Sequence, residues 1–119
     1  MKTGSEIQSL RRLLIGLEQA SRKNDAPIWK KAAFYLGKPT RQRIEVNLNR
    51  ISRFSKNGDF VLIPGKVLGI GEIDKKIKLA AFKFSKSAIE KLDKAGVEML
   101  TIEKAILVNP KGSKIILAI

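Results

Sequence analysis

Between Arg43 and Phe54 the apolar residues change period within a few positions. Up to Leu48 they alternate. Ile44, Val46 and Leu48 fall on one side and Arg43, Glu45, Asn47 and Asn49 on the other, the pattern of a half-buried strand or extended segment. From Asn49 the spacing becomes helical: Ile51 and Phe54 are three apart, as are Arg50 and Arg53. That predicts a short helix capped by Asn47 or Asn49. The stretch packs its apolar residues inward in two successive geometries and leaves its arginines outside.

Two helices precede it. Ser5-Glu6-Ile7-Gln8 has capping-box spacing, and Ile7, Leu10, Leu14 and Leu17 recur at helical intervals with Leu13 beside them, predicting a helix to about residue 23. Arg11 and Arg12 lie away from most of that stripe. Pro27 sits at a first-turn position of a second helix, where its missing N–H costs nothing. Ile28, Ala32, Tyr35 and Leu36 follow at helical spacing, Gly37 ends the helix and Pro39 prevents its resumption. Lys30 and Lys31 project from it. Trp29 and Tyr35 are read as core rather than as platforms for an unpaired base.

The second half alternates strands and helices. "FVLIP" reads as a buried strand ending at Pro64, after the Asn57-Gly58-Asp59 turn. "KIKLAAFKFS" reads as a strand with a bulge, Ile77, Leu79 and Ala81 on one face and Phe82 and Phe84 on the other. Ser85 caps a helix to Ala95 with Gly96 beyond its end, and Phe84 and Ile89 are spaced as a hydrophobic staple. "VEML" is a short strand, Thr101 caps "IEKAILV", Asn109-Pro110 ends it, and "KIILAI" is a terminal strand.

Charge narrows the function. The chain has 119 residues, a length that suits one domain, and 24 Lys+Arg against 11 Asp+Glu, a net charge of +13. Such an excess strains a compact fold by self-repulsion, and a polyanionic partner relieves it. All seven arginines lie at or before residue 53. Arginine presents a rigid donor fork that matches phosphate, whereas lysine is a hydrated point charge that also serves solubility. The arginine-rich half is therefore the better contact surface.

The absences exclude much chemistry. With no histidine and no cysteine, Ser-His-Asp and Cys-His arrangements and the usual zinc sites are out of reach. Glu72 and Asp74 neighbour Lys75, Lys76 and Lys78 and read as solvated loop charges. "GKVLGIGE" fits neither the phosphate-cradling loop nor the dinucleotide fingerprint, so its glycines mark tight turns, close packing or a surface a phosphate chain can approach beside Lys66. No apolar run is long enough to span a membrane, and the opening "MKTGSEIQSLRRLL" lacks the features of a secretory signal. The chain is expected to be soluble and cytoplasmic, without membrane association.

Three segments together are distinctive: "APIWKKAAFYLGKPTRQRIEVNLNRISRF", "VLIPGKVLGIGEIDKKIKLAAFKFSKSAIEKLDKAG" and "NPKGSKIIL". They resemble the large-subunit ribosomal protein eighteen-e family of archaea and eukaryotes, which shares a superfamily with bacterial large-subunit ribosomal protein fifteen. The short length resembles the archaeal form. The resemblance implies a small single α/β domain over 1–119, an irregular β-β-α superhelix preceded by a helical basic segment. Residues 1–56 would be the RNA-contacting part and 57–119 the compact αβ core. It further implies structural binding of large-subunit ribosomal RNA beside neighbouring ribosomal proteins, with no enzymatic activity, no cofactor and no small-molecule substrate. A non-ribosomal, chromatin-like nucleic-acid binder is the alternative. Under the ribosomal reading Arg41, Arg43, Arg50 and Arg53, with Lys30 and Lys31, meet phosphates. Arg11, Arg12 and Arg22 add to them, and Gly65, Lys66, Lys75, Lys76 and Lys78 form a second contact set.

Overall fold

Pro64 interrupts the most buried run of the chain, yet the strand does not stop there. The computed structural model describes residues 4–119, with side chains from Ser9 onward apart from Thr40. Strand β2 runs through the proline from Phe60 to Leu68, four residues beyond the end expected for it. The reason lies in its partners. Strand β5 (Ile115–Leu117) pairs one edge of β2 from Phe60 to Leu62, and β1 (Ile44–Asn47) takes over that same edge from Gly65 to Leu68. On the opposite edge β3 (Lys78–Phe84) pairs Ile63 with Ala81 and then Lys66 with Lys83, so Pro64 and Gly65 together oppose Phe82. The proline's missing N–H thus falls at a bulge and a change of partner, where the ladder needs no donor.

All pairings are parallel, and β4 (Glu98–Thr101) completes the sheet beside β3. Parallel neighbours require crossovers. Helix α3 (Leu48–Phe54) links β1 to β2, α4 (Lys86–Ala95) links β3 to β4, and α5 (Ile102–Val108) links β4 to β5. Both faces of the sheet are covered, as parallel sheets demand. One core gathers Leu62, Ala80 and Leu100 against α1 (Gly4–Asn24), α2 (Pro27–Leu36) and α5. The other gathers Val61, Ile63, Leu79 and Ala81 with Leu48 and Ile51 of α3 and Ala88 and Leu92 of α4. The α/β class and the helical basic lead-in are those the sequence implied. Each fully buried leucine or isoleucine contributes roughly 1.5–3 kcal/mol.

Local signals set the helix ends. Pro27 opens α2, and Gly37 follows its last residue. Ser85 accepts from the Ala88 N–H at 3.2 Å and Thr101 from the Lys104 N–H at 3.1 Å. Gly96 adopts φ 75° after α4, a left-handed conformation that costs glycine little. The Ser5–Gln8 capping box lies outside the described side chains. Three expectations need correction. Asn47 occupies the N-cap position of α3 but makes no cap; its Oδ1 instead accepts from the Ile70 N–H at 3.3 Å. Phe84 packs with Ile77, Leu79 and Ala81 rather than opposite them, at the strand end beyond the β2 bulge. The buried stripe of α2 is Trp29, Ala32, Ala33 and Leu36, so Ile28 and Tyr35 sit at its margins and Phe34 outside it.

Candidate nucleic-acid interface

Arg43 precedes β1, whose edge position is fixed by backbone pairing with β2. Its Nε donates to the Lys38 carbonyl at 3.3 Å, and its guanidinium carbon lies 5.9 Å from the Phe82 ring centroid. Lys83 Nζ lies 5.6 Å from the same centroid. Lys66 pairs with Lys83 on one side and Glu45 on the other, all three exposed. Together Arg43, Lys66, Phe82 and Lys83 border a concavity of about 220 Å³. Phe82 thus serves as a platform carrying two cations, an arrangement that restrains them while leaving their charges at the surface.

The positive surface continues along α2. Lys38 Nζ stands 5.0 Å from the Phe34 ring centroid and 5.8 Å from that of Tyr35, and the two rings meet edge-on at 5.3 Å. Lys30 and Lys31 line the same groove as Phe34 and Tyr35. Lys30 also shares a depression with Arg22 at the end of α1. A continuous belt results: Arg22, Lys30, Lys31, Lys38, Arg43, Lys83 and Lys66, with Arg41 exposed on the single 3-10 turn Thr40–Gln42.

Other predicted residues have different commitments. Arg50 donates through Nη2 to the backbone oxygen of Ile119 at 2.6 Å. The Lys75 ammonium donates to the Ser52 carbonyl and ties the loop before β3 to α3. Arg53, Lys76 and Lys78 are exposed, Lys78 standing 5.9 Å from the Phe60 ring centroid. Arg11 and Arg12 are exposed on α1, where Arg12 borders a depression with Glu103 and Leu107 of α5. Gly65 is buried beneath β1, and the Ile44 backbone occupies the place of a side chain there. Gly69 and Gly71 likewise press against Ser87 and Asn49. Lys91 holds that turn, donating to the carbonyls of Gly69 and Gly71 at 2.9 Å each. Trp29 is fully buried and its Nε1 donates to the Pro110 carbonyl at 2.7 Å.

Sequence reasoning missed Lys38, Phe34 and Lys83 as members of this surface. Lys83 had a signal, a cation between Phe82 and Phe84. Phe34 had one only if Trp29 anchors the helix stripe. Among the described residues no three acidic side chains converge as a metal site, and no helix is long and apolar enough to cross a membrane.

An α/β fold with a restrained cationic belt and no convergent catalytic groups defines a polyanion-binding protein. Residues 40–100 match the family of ribosomal proteins that comprises 50S-L15, 50S-L18e and a 60S counterpart, and the chain belongs to that family. It is 48% identical over 103 residues to the large ribosomal subunit protein eL18 of Methanococcus maripaludis, covering 87% of this chain and 86% of that protein. The eL18 protein of Archaeoglobus fulgidus is 46% identical over 93 residues, 78% of this chain and 80% of its own. That of Pyrobaculum aerophilum is 43% identical over 111 residues, 93% and 91% of the two chains.

Proposed function

We propose that this chain is a structural constituent of the large subunit of the cytoplasmic ribosome, binding and stabilising folded large-subunit rRNA beside neighbouring ribosomal proteins. The observation that carries the mechanism is the fixation of Arg43 between the Lys38 carbonyl and Phe82, in the middle of a belt of cations. Double-helical RNA offers side chains its shape, phosphates and 2′-hydroxyls rather than a readable major groove. A guanidinium already held in place meets a phosphate with less ordering cost than a free one.

The role is non-catalytic. Glu72 lies 3.6 Å from the Lys91 ammonium at the edge of the loop, and Asp74 is exposed. Neither faces a partner with which it could share a proton.

The test is the salt dependence of binding to deproteinised large-subunit rRNA. If the belt neutralises about eight phosphates, log affinity falls against log salt with a slope of roughly −6 to −7. A slope shallower than about −2 contradicts phosphate binding.

A further inference from the structure

Phe34 is the anomaly of the belt. It is 64% exposed, although it stands beside the fully buried stripe of α2. Lys30 and Lys31 stand one turn before it, and Lys38 lies 5.0 Å from its ring one turn after. The groove it lines, about 580 Å³ between α2 and the end of β5, also presents Tyr35, Leu117 and Ile119. Its charged lining is cationic only. An occupant must therefore offer a flat apolar face and negative charge together.

We infer that Phe34 is a stacking platform for one unpaired rRNA base, whose flanking phosphates lie on Lys30, Lys31 and Lys38. Paired bases hide their faces inside the duplex, so an exposed ring is useful only to a nucleotide outside it. The groove runs into the phosphate-binding belt through Lys38, whose carbonyl holds Arg43. That continuity favours RNA over an acidic protein segment. This assignment rests on the rRNA-binding reading and adds a single-stranded contact to it.

Ultraviolet crosslinking of intact large subunits tests it, because a stacked aromatic ring forms adducts with its base. The peptide spanning residues 32–38 should carry a nucleotide adduct that maps to an unpaired position, and Phe34→Leu should abolish it. The variant should remain in the subunit at unchanged stoichiometry. In binding to deproteinised rRNA, Phe34→Leu should weaken affinity by roughly 5- to 150-fold without changing the salt slope, because stacking releases no counterions. Lys30→Ala with Lys31→Ala should instead make the slope shallower. An unmodified 32–38 peptide in subunits that contain the chain overturns base stacking, and a neighbouring protein filling the groove gives that result. Absence of the chain from large subunits refutes the parent reading.

Discussion

The Arg43 guanidinium carbon lies 5.9 Å from the centre of the Phe82 ring, with Nε bonded to the Lys38 carbonyl at 3.3 Å. The remaining donors of the guanidinium are left for a ligand. Arg43→Lys keeps the charge but loses the planar fork and its stacking. It should weaken rRNA affinity about 5- to 10-fold with little change in salt slope, whereas Arg43→Gln should also make the slope shallower by about 0.7–0.9. Filter-binding titrations across a salt series distinguish the two.

Gly65 should be intolerant for a reason unrelated to RNA. A methyl group there would run into the Ile44 carbonyl, and backbone cannot yield as a flexible side chain does. Gly65→Ala should cost about 2–3 kcal/mol in urea unfolding. At Gly58, where no atom lies within 4 Å, only the positive φ of 89° opposes alanine, and Gly58→Ala should cost about 1 kcal/mol.

Lys91 and Glu72 form an ion pair whose two members should matter unequally. Lys91 also bonds two carbonyls of the Gly69–Gly71 turn, while the Glu72 side chain is 84% exposed. Lys91→Met should destabilise the protein by about 1–2 kcal/mol, and Glu72→Gln by at most a few tenths of that unit. Hydrogen exchange at the amides of residues 69–71 should quicken in the first variant alone.

Trp29 fixes α2 to the loop after α5 through its bond to Pro110. Trp29→Phe loses that bond and part of the packing, and should lower stability by about 1–2 kcal/mol. Trp29→Ala should cost about 3–5 kcal/mol and leave little folded protein at elevated temperature. Calorimetric melts provide the check.

Short-range chemistry was legible in the sequence. Pro27, Gly37, Ser85, Gly96 and Thr101 act through their nearest neighbours, and each stands where its type predicts. What escaped depends on distant partners. The continuation of β2 past Pro64 follows from β5 yielding its edge to β1, strands about fifty and twenty residues away in sequence. The α2 stripe lies one position away from the expected one because Ile28 and Tyr35 mimic the spacing that Trp29 and Ala33 actually occupy, and Phe34 was lost with it. Of the interface, Arg41, Arg43, Lys30, Lys31 and Lys66 could be named from charge pattern alone. Lys38 and Lys83 could not, because their place depends on the rings of Phe34, Tyr35 and Phe82.

The most direct measurement of the central claim is gradient sedimentation of a lysate containing the tagged chain, with its copy number determined in every fraction. The account predicts co-migration with the large ribosomal subunit at about one copy per particle, reduced when Arg43, Lys66 and Lys83 are replaced together by glutamine. Migration with DNA or with membranes, or free at the top of the gradient, would contradict it.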